Sequence, residues 1–90
     1  MLLTDGEIQV KLGQLRDWTW EGQYLCCQKK FKGFPEAVAF VQAMVDPAER
    51  AAHHPDLEIS YNRVTIRLTT HDQGGLTQKD FDLARMIETL

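Results

Sequence analysis

Apolar and polar residues alternate on both sides of a short turn in the stretch Leu57-Glu58-Ile59-Ser60-Tyr61-Asn62-Arg63-Val64-Thr65-Ile66-Arg67-Leu68-Thr69-Thr70. Consecutive strand residues point to opposite faces of a sheet, so this alternation is typical of antiparallel strands buried on one face. We expect one strand over 57–61 and another over 64–70. The shared faces would be formed by Leu57, Ile59 and Tyr61 in the first strand and by Val64, Ile66 and Leu68 in the second.

Upstream of this hairpin, an apolar stripe predicts the main helix. Phe34-Pro35-Glu36 begins it with a proline in the first turn, where proline is tolerated. Because a proline inside a helix removes a hydrogen bond, Asp46-Pro47 predicts a kink or a restart that Asp46 caps. His53-His54-Pro55 ends the helix, since a residue before proline disfavours helical dihedral angles. The stripe consists of Val38, Phe40, Val41, Met44 and Val45 and continues toward Ala51.

A second hairpin is predicted nearer the N-terminus. Residues 18–21 and 23–31 are rich in strand-favouring residues and meet near Gly22. Cys26 and Cys27 are adjacent, so only one of them can face the core.

Capping boxes mark the two terminal helices. Thr4 with Glu7 begins a helix over 5–15, and Thr77 with Asp80 begins a last amphipathic helix that carries Phe81. The order α-β-β-α-β-β-α predicts an α+β fold with a four-stranded antiparallel sheet and three helices packed on one face. The other face would carry the polar residues or a partner. We expect residues 1–90 to form a single domain.

Composition excludes several classes of protein. No apolar run is long enough for a membrane span, and the start is too short for a signal-peptide core. The formal net charge of −3 argues against a nucleic-acid surface. Two adjacent cysteines cannot form a disulfide framework, so the chain is expected to be cytoplasmic. A core this small favours self-association.

The three histidines stand at the boundaries of predicted elements. His53 and His54 lie where the main helix ends, and His71 follows the last strand. Taken alone, such residues are surface or capping histidines, catalytic groups or metal ligands. Metal is the weaker interpretation, because no His-x-x-x-His or Cys-x-x-Cys spacing supplies convergent ligands.

Other motifs favour structural roles. Ser60 lies mid-strand, and the cysteines lack a neighbouring base, so nucleophilic catalysis has little support. Gly74-Gly75 lacks the frame of a phosphate-binding loop. The cluster Lys29-Lys30-Phe31-Lys32 is more simply a solvated strand end than an anion site.

Taken together, the pattern Glu49-x-x-x-His53-His54-Pro55, followed by Tyr61, His71 and Asp80, resembles the signature of pterin-4a-carbinolamine dehydratases. The resemblance extends to Phe31-Lys32-Gly33-Phe34, to Tyr61-Asn62-Arg63-Val64 and to the stretch from Leu68 to Thr77, and covers roughly residues 18–88.

The resemblance implies a dehydration. A 4a-hydroxytetrahydropterin left by an aromatic amino-acid hydroxylase would lose water to give the quinonoid dihydropterin, as part of tetrahydrobiopterin-type cofactor recycling. Hydroxide is a poor leaving group unless an acid protonates it, and imidazole can donate or accept a proton near neutral pH. No metal, cofactor or covalent intermediate is required.

The resemblance also assigns roles to residues. His53 and His71 would be the acid/base pair, and His54 would bind and orient the flat ring. Glu49, four residues before His53, would hold an imidazole, or it is a solvated helix acid. Asp80 and Pro55 belong to the signature and are interpreted as a cap and a helix stop. The pterin would be lined by Ala52, Thr69, Thr70 and Asp72, mainly through backbone groups, and by Trp18 or, less well matched, Trp20.

Two departures from the family pattern affect these expectations. Pro47 stands inside what the family builds as one long helix, and Lys29 replaces an aromatic residue. Members of this family also act as dimerisation partners or assembly factors, so a protein-binding module on the same scaffold is the alternative function. The resemblance implies a homodimer or tetramer that binds a small pterin and contacts neither membrane nor nucleic acid directly.

Overall fold

A computed structural model describes all residues from Met1 to Leu90 and contains a four-stranded antiparallel sheet. The sheet consists of two hairpins joined in the middle, with the strand order β1-β2-β4-β3. β2 and β4 are therefore central, and β1 and β3 are the edges. The strands are β1 (Trp18–Glu21), β2 (Tyr24–Lys30), β3 (Asp56–Ser60) and β4 (Arg63–Leu68).

Helices precede, connect and follow the two hairpins, which confirms the predicted α+β fold and its order of elements. They are α1 (Asp5–Leu12), α2 (Phe34–Ala43), α3 (Val45–Ala51) and α4 (Gln78–Glu88). α2 and α3 together form the predicted main helix. The predicted extent of α1 to residue 15 was wrong. Beyond Gly13 the backbone hydrogen bonds change from i→i−4 to i→i−3, with Gln14 N–H donating to Lys11 O over 3.1 Å.

The main helix restarts at Met44, as the proline predicted, but Asp46 does not cap it. Met44 ends α2 and also precedes α3, and no side chain caps that start. Ala48 N–H donates to Met44 O over 3.1 Å, which closes the first turn of α3. Pro47 lies inside that first turn, where its missing N–H leaves no helical acceptor unpaired. The break thus accommodates the proline without disrupting either helix.

The core lies between the helices and one face of the sheet. Residues opposite each other in register share a face, and the pairs Leu25 with Leu68 and Cys27 with Ile66 point toward the helices. Cys26 lies on the other face and outside this cluster, as the alternation predicted. Burying a side chain such as Leu68 stabilises the fold by about 1.5–3 kcal/mol. α1, α2 and α4 contribute Ile8, Ala37, Phe40, Phe81, Leu83, Ala84 and Ile87 to the same cluster.

Edge strand β3 is exposed along its whole length. Leu57 and Ile59 lie opposite the core residues Ile66 and Val64, yet they remain 38% and 37% exposed. Tyr61 does not share their face as predicted, because β3 ends at Ser60 and Tyr61 lies in the turn with φ 54°. None of the helices has both the length and the apolar character that crossing a membrane requires.

Candidate active site

All three histidines lie at one end of the sheet. His53 and His54 immediately precede β3, and His71 follows β4. Because β3 and β4 are antiparallel, the start of the first lies beside the end of the second. The turn between β1 and β2 lies at this end too, since the Thr69 hydroxyl donates to Gln23 O over 2.6 Å. The topology therefore collects side chains from three separate connections.

The end of α3 turns His53 toward the protein interior. Ala52 adopts the left-handed conformation at φ 50° and ψ 40°. The N–H of Ala52 donates to Glu49 O and that of His53 to Ala48 O, each over 3.1 Å. These two bonds form the Schellman ending of a helix, at a position that glycine usually occupies. As a result His53 is only 8% exposed, although the following residue is exposed.

His53 is held by a buried carboxylate. Its Nε2 lies 2.6 Å from Oδ1 of Asp80, a residue with no exposed surface. The other oxygen of Asp80 accepts from the Thr70 hydroxyl over 2.8 Å and from Thr77 N–H over 2.9 Å. The hydroxyls of Thr70 and Thr77 lie 2.8 Å apart. Both carboxylate oxygens of Asp80 and the hydroxyls of Thr70 and Thr77 therefore have partners, as buried polar groups require.

His54 points away from that cluster and pairs with Glu49. Its Nε2 lies 2.5 Å from Oε2 of Glu49, and both side chains are about two-thirds exposed. The helical spacing predicted that Glu49 shares a face with His53, but the left-handed Ala52 ends the helix before that face can continue. Glu49 does hold an imidazole, that of His54, and Asp80 takes the place beside His53.

His71 is the most loosely held of the three. It begins a short 3₁₀ turn over His71–Gln73, and its Nε2 lies 3.8 Å from Oδ2 of Asp56. This separation is too long for a hydrogen bond, and both side chains are more than half exposed. The ring of His71 is therefore free to meet a ligand.

The residues predicted to line the ligand differ in what they offer. Ala52 and Asp72 are exposed beside the histidines, and Thr69 and Thr70 are buried. Both backbone groups of Thr70 already have hydrogen-bond partners. Its N–H donates to Gly75 O over 3.0 Å, and its carbonyl accepts from N–H groups of the turn that follows, the shortest of these bonds also being 3.0 Å. Thr70 contributes its side chain to the Asp80 cluster instead.

Trp18 does not join the histidines. It is 7% exposed, belongs to the core and lies on β1, which β2 and β4 separate from β3. Its Nε1 is buried without a hydrogen-bond partner. Trp20 lies two pairs closer to the histidine end, opposite Leu25, and its Nε1 donates to Gly22 O over 2.8 Å. The tryptophan expected beside the ligand is therefore a core residue.

Two open grooves border the histidine end. One of about 300 Å³ runs from His54 and Glu49 along an apolar floor that includes Val45 and Leu57. The other, of about 420 Å³, is bordered by Thr70 and Asp72 together with the N-terminal residues. No single groove contains all three histidines, and no cluster of His, Cys, Asp or Glu is arranged to hold a metal ion.

The whole chain matches one protein family. The family model described as pterin 4 alpha carbinolamine dehydratase aligns with residues 1–90. The chain belongs to this dehydratase family. Among its relatives, a Cyanothece protein that carries the dehydratase name is 60% identical over 89 residues, which are 99% of this chain and 92% of the relative. A similarly named protein of Trichormus variabilis is 58% identical and is covered over 96% of its length.

Solved structures of the family share this fold. A Brucella melitensis protein described as a transcriptional coactivator/pterin dehydratase superposes with a TM-score of 0.94 at 32% identity, covering 99% of this chain and 97% of its own. A pterin dehydratase-like protein described as a RuBisCO assembly factor in the alpha-carboxysome superposes with a TM-score of 0.64. At 16% identity over 80% of this chain, the second shows the fold alone.

Sequence reasoning missed the contact between His53 and Asp80 in this family member. Asp80 was interpreted as a helix cap, which it is, because it closes a capping box with Thr77. Its second contact spans 27 positions of sequence. One signal pointed to it: Asp80 is the last residue of the family signature, and a cap alone can be supplied by several other residue types.

Proposed function

We propose that this family member dehydrates 4a-hydroxytetrahydropterins to quinonoid dihydropterins, with His53 and His71 exchanging protons with the substrate. Membership of the dehydratase family supports the reaction. The buried pair of His53 and Asp80, at the same sheet end as the free ring of His71, is the observation that carries the mechanism.

The reaction needs one proton donor and one proton acceptor. The C4a–O bond breaks as the lone pair of the adjacent ring nitrogen forms the C=N bond. An imidazolium gives its proton to the departing oxygen, which leaves as water, and a neutral imidazole removes the proton from the ring nitrogen. Atoms and charge balance without a metal or cofactor. Both forms of imidazole are available near neutral pH.

The two histidines suit these roles in different ways. The carboxylate of Asp80 holds the His53 ring in one orientation, so that the imidazole can give and take a proton without moving. His71 approaches from another loop, so the pair can serve opposite faces of a flat ring. His54, oriented by Glu49, would bind the ring beside Ala52 and Asp72.

The proposed site leaves Trp18 out, because its ring is committed to the core. Thr69 and Thr70 support the site from beneath through their hydroxyls. We place the reaction in tetrahydrobiopterin-type cofactor recycling in the cytoplasm, a location in keeping with two adjacent unpaired cysteines.

An absorbance assay of quinonoid dihydropterin formation from synthetic 4a-hydroxytetrahydropterin tests this proposal. We expect the wild type to accelerate the reaction at pH 7, and His53→Ala and His71→Ala each to lower kcat/KM at least about tenfold, or about 1.4 kcal/mol. Arg50→Ala, an exposed substitution in the same helix as the site, is the control and should stay within about twofold. A folded wild type without any acceleration would overturn the proposal.

A second candidate function is a protein-binding or assembly module. Its support is that the RuBisCO assembly factor uses the same fold. The retention of three histidines at one end favours the enzyme, since a scaffold has no need of them there. A stoichiometric protein partner whose binding survives substitution of all three histidines, together with absent dehydratase activity, would favour the module.

We also propose that the chain forms at least a dimer, and a tetramer is compatible with the same surfaces. The exposed edge of β3 supports this, because unpaired strand edges readily pair with a second strand. Leu57 and Ile59 add apolar surface beside that edge.

A further inference from the structure

The hydrogen bonds in the buried cluster beneath His53 run in one direction, which the available donors and acceptors determine. A carboxylate of Asp80 only accepts hydrogen bonds, so the Thr70 hydroxyl must donate its one proton to it. The Thr70 oxygen then accepts from the Thr77 hydroxyl, 2.8 Å away. The Thr77 oxygen in turn accepts from Lys79 N–H over 3.3 Å. One ordered chain of donors therefore runs from the start of α4 to Asp80.

The carboxylate of Asp80 leaves only one place for the proton of a neutral His53. Oδ2 of Asp80 already accepts from Thr70 and from Thr77 N–H, and Oδ1 faces Nε2 of the imidazole at 2.6 Å. Nε2 must therefore carry a hydrogen and donate it. The lone pair of the neutral ring is then at Nδ1, which has no partner within the protein.

We infer that the Thr70 hydroxyl is a positioning group that holds the carboxylate of Asp80 against His53, and that this carboxylate keeps the proton of the neutral ring on Nε2, so that His53 exchanges protons with the substrate at Nδ1. The inference rests on the proposed function for the exchange step only. The proton position itself is a property of the folded protein. Thr70 touches no reacting atom in this account, since its hydroxyl is turned into the cluster and its backbone groups are bonded within their own loop.

Nitrogen NMR of the His53 ring tests the proton position without any substrate. In the ¹⁵N-labelled wild type, at a pH where the ring is neutral, Nε2 is expected to be protonated and Nδ1 unprotonated. Thr70→Val keeps the shape of the side chain and removes the donor that holds Oδ2 of Asp80. The carboxylate still only accepts, so Nε2 should stay protonated, but the signals of Nε2 and its proton should shift as the bond to Oδ1 changes. Thr70→Ser should restore the wild-type spectrum. Thr69→Val is the matched control for this spectrum, because Thr69 is also a buried residue but its hydroxyl bonds to Gln23 O.

Asp80→Asn gives the sharpest outcome. The two donors facing Oδ2 require the amide oxygen on their side, which turns the NH₂ group toward His53. Nε2 must then accept, and the ring proton moves to Nδ1. The expected spectrum is therefore the reverse of the wild type, with Nδ1 protonated. A spectrum of Asp80→Asn that keeps Nε2 protonated, or a spectrum of Thr70→Val identical to that of the wild type, with the fold intact by circular dichroism, would overturn the inference.

Kinetics of the same variants connect the proton position to the reaction. Loss of one hydrogen bond in Thr70→Val should lower kcat about threefold to tenfold with little change in KM, and Thr70→Ser should recover most of it. An effect confined to KM would contradict a positioning role. The two proposals fail separately: an inactive wild type with the expected spectra overturns the proposed function alone, and an active wild type with Nδ1 protonated overturns this inference alone.

Discussion

Single residues at the histidine end perform two tasks at once. Asp80 caps α4 and orients His53, and Ala52 ends α3 and turns His53 inward. Local patterns reveal the first task in each case, because caps and helix ends depend on residues a few positions apart. The second task depends on contacts between distant segments, which a pattern of spacing does not contain.

The two cysteines are predicted to make stability fall at alkaline pH. Burial raises the pKa of the Cys27 thiol, and burial together with Glu21 raises that of Cys26. A raised pKa means that the folded chain keeps thiol protons that the unfolded chain loses. This contribution is complete below the ordinary thiol pKa of roughly 8.5 and is lost as pH rises through the higher folded value.

Urea unfolding at several pH values checks this expectation. The free energy of unfolding should decrease from pH 8 to pH 10, and a Cys26→Ala/Cys27→Ala variant should show a shallower decrease over that range. Equal slopes in the two proteins would contradict the assignment, because the remaining titrating groups are shared.

At the level of secondary structure, the backbone at the end of α3 is strained, and one substitution should relieve that strain. Ala52 occupies a left-handed conformation that costs about 1–2 kcal/mol for a residue with a Cβ. Ala52→Gly removes this cost but adds about 0.4–1 kcal/mol of unfolded-state entropy. We expect a net gain of about 0.5 kcal/mol in the free energy of unfolding, measured with urea.

A matched control lies one position earlier. Ala51 is exposed and is the last helical residue of α3, so Ala51→Gly should lower stability by about 0.5–1 kcal/mol. Two changes of the same chemistry at neighbouring positions should therefore have opposite signs. A loss of stability in both variants would contradict the claim that the left-handed conformation of Ala52 is strained.

Most elements were predictable because their signals are local. Alternation in residues 57–70, the capping boxes at Thr4 and Thr77 and Pro35 near the start of α2 gave elements that the structure confirms. The errors lie at ends, where competing signals are weak. α1 ends earlier than predicted, with Gly13 as its C-cap, and Met44 rather than Asp46 is the N-cap of α3. Trp18 packs in the core, and its spacing in the sequence could not tell a core face from a ligand face.

For the whole molecule, the exposed strand β3 predicts self-association. Light scattering at micromolar concentration should give at least the mass of a dimer. Ile59→Lys places a charge on the apolar side of that edge and should shift the mass toward the monomer. Glu58→Lys, on the opposite face of the same strand, is the control and should leave the mass unchanged. A monomeric wild type would refute the association.

The fold brings the two loops that carry the histidines to one end of the sheet. The three histidines of the candidate site could be proposed from the sequence, since the resemblance to the family signature includes them, but the residues that pair with them could not. Glu49 pairs with His54, and Asp80 pairs with His53, because of how α3 ends and where α4 packs. In the proposed mechanism, two imidazoles, positioned by this fold and by the residues that pair with them, exchange protons with the substrate.

The pH dependence of kcat/KM for dehydration tests that claim most directly. Synthetic 4a-hydroxytetrahydropterin would be followed by absorbance from pH 5 to pH 9, with the uncatalysed rate subtracted at each pH. Acid and base catalysis by histidines predicts a bell-shaped profile near neutrality that falls about tenfold toward each end. A flat profile across this range, from a protein that stays folded throughout, would contradict proton transfer by His53 and His71.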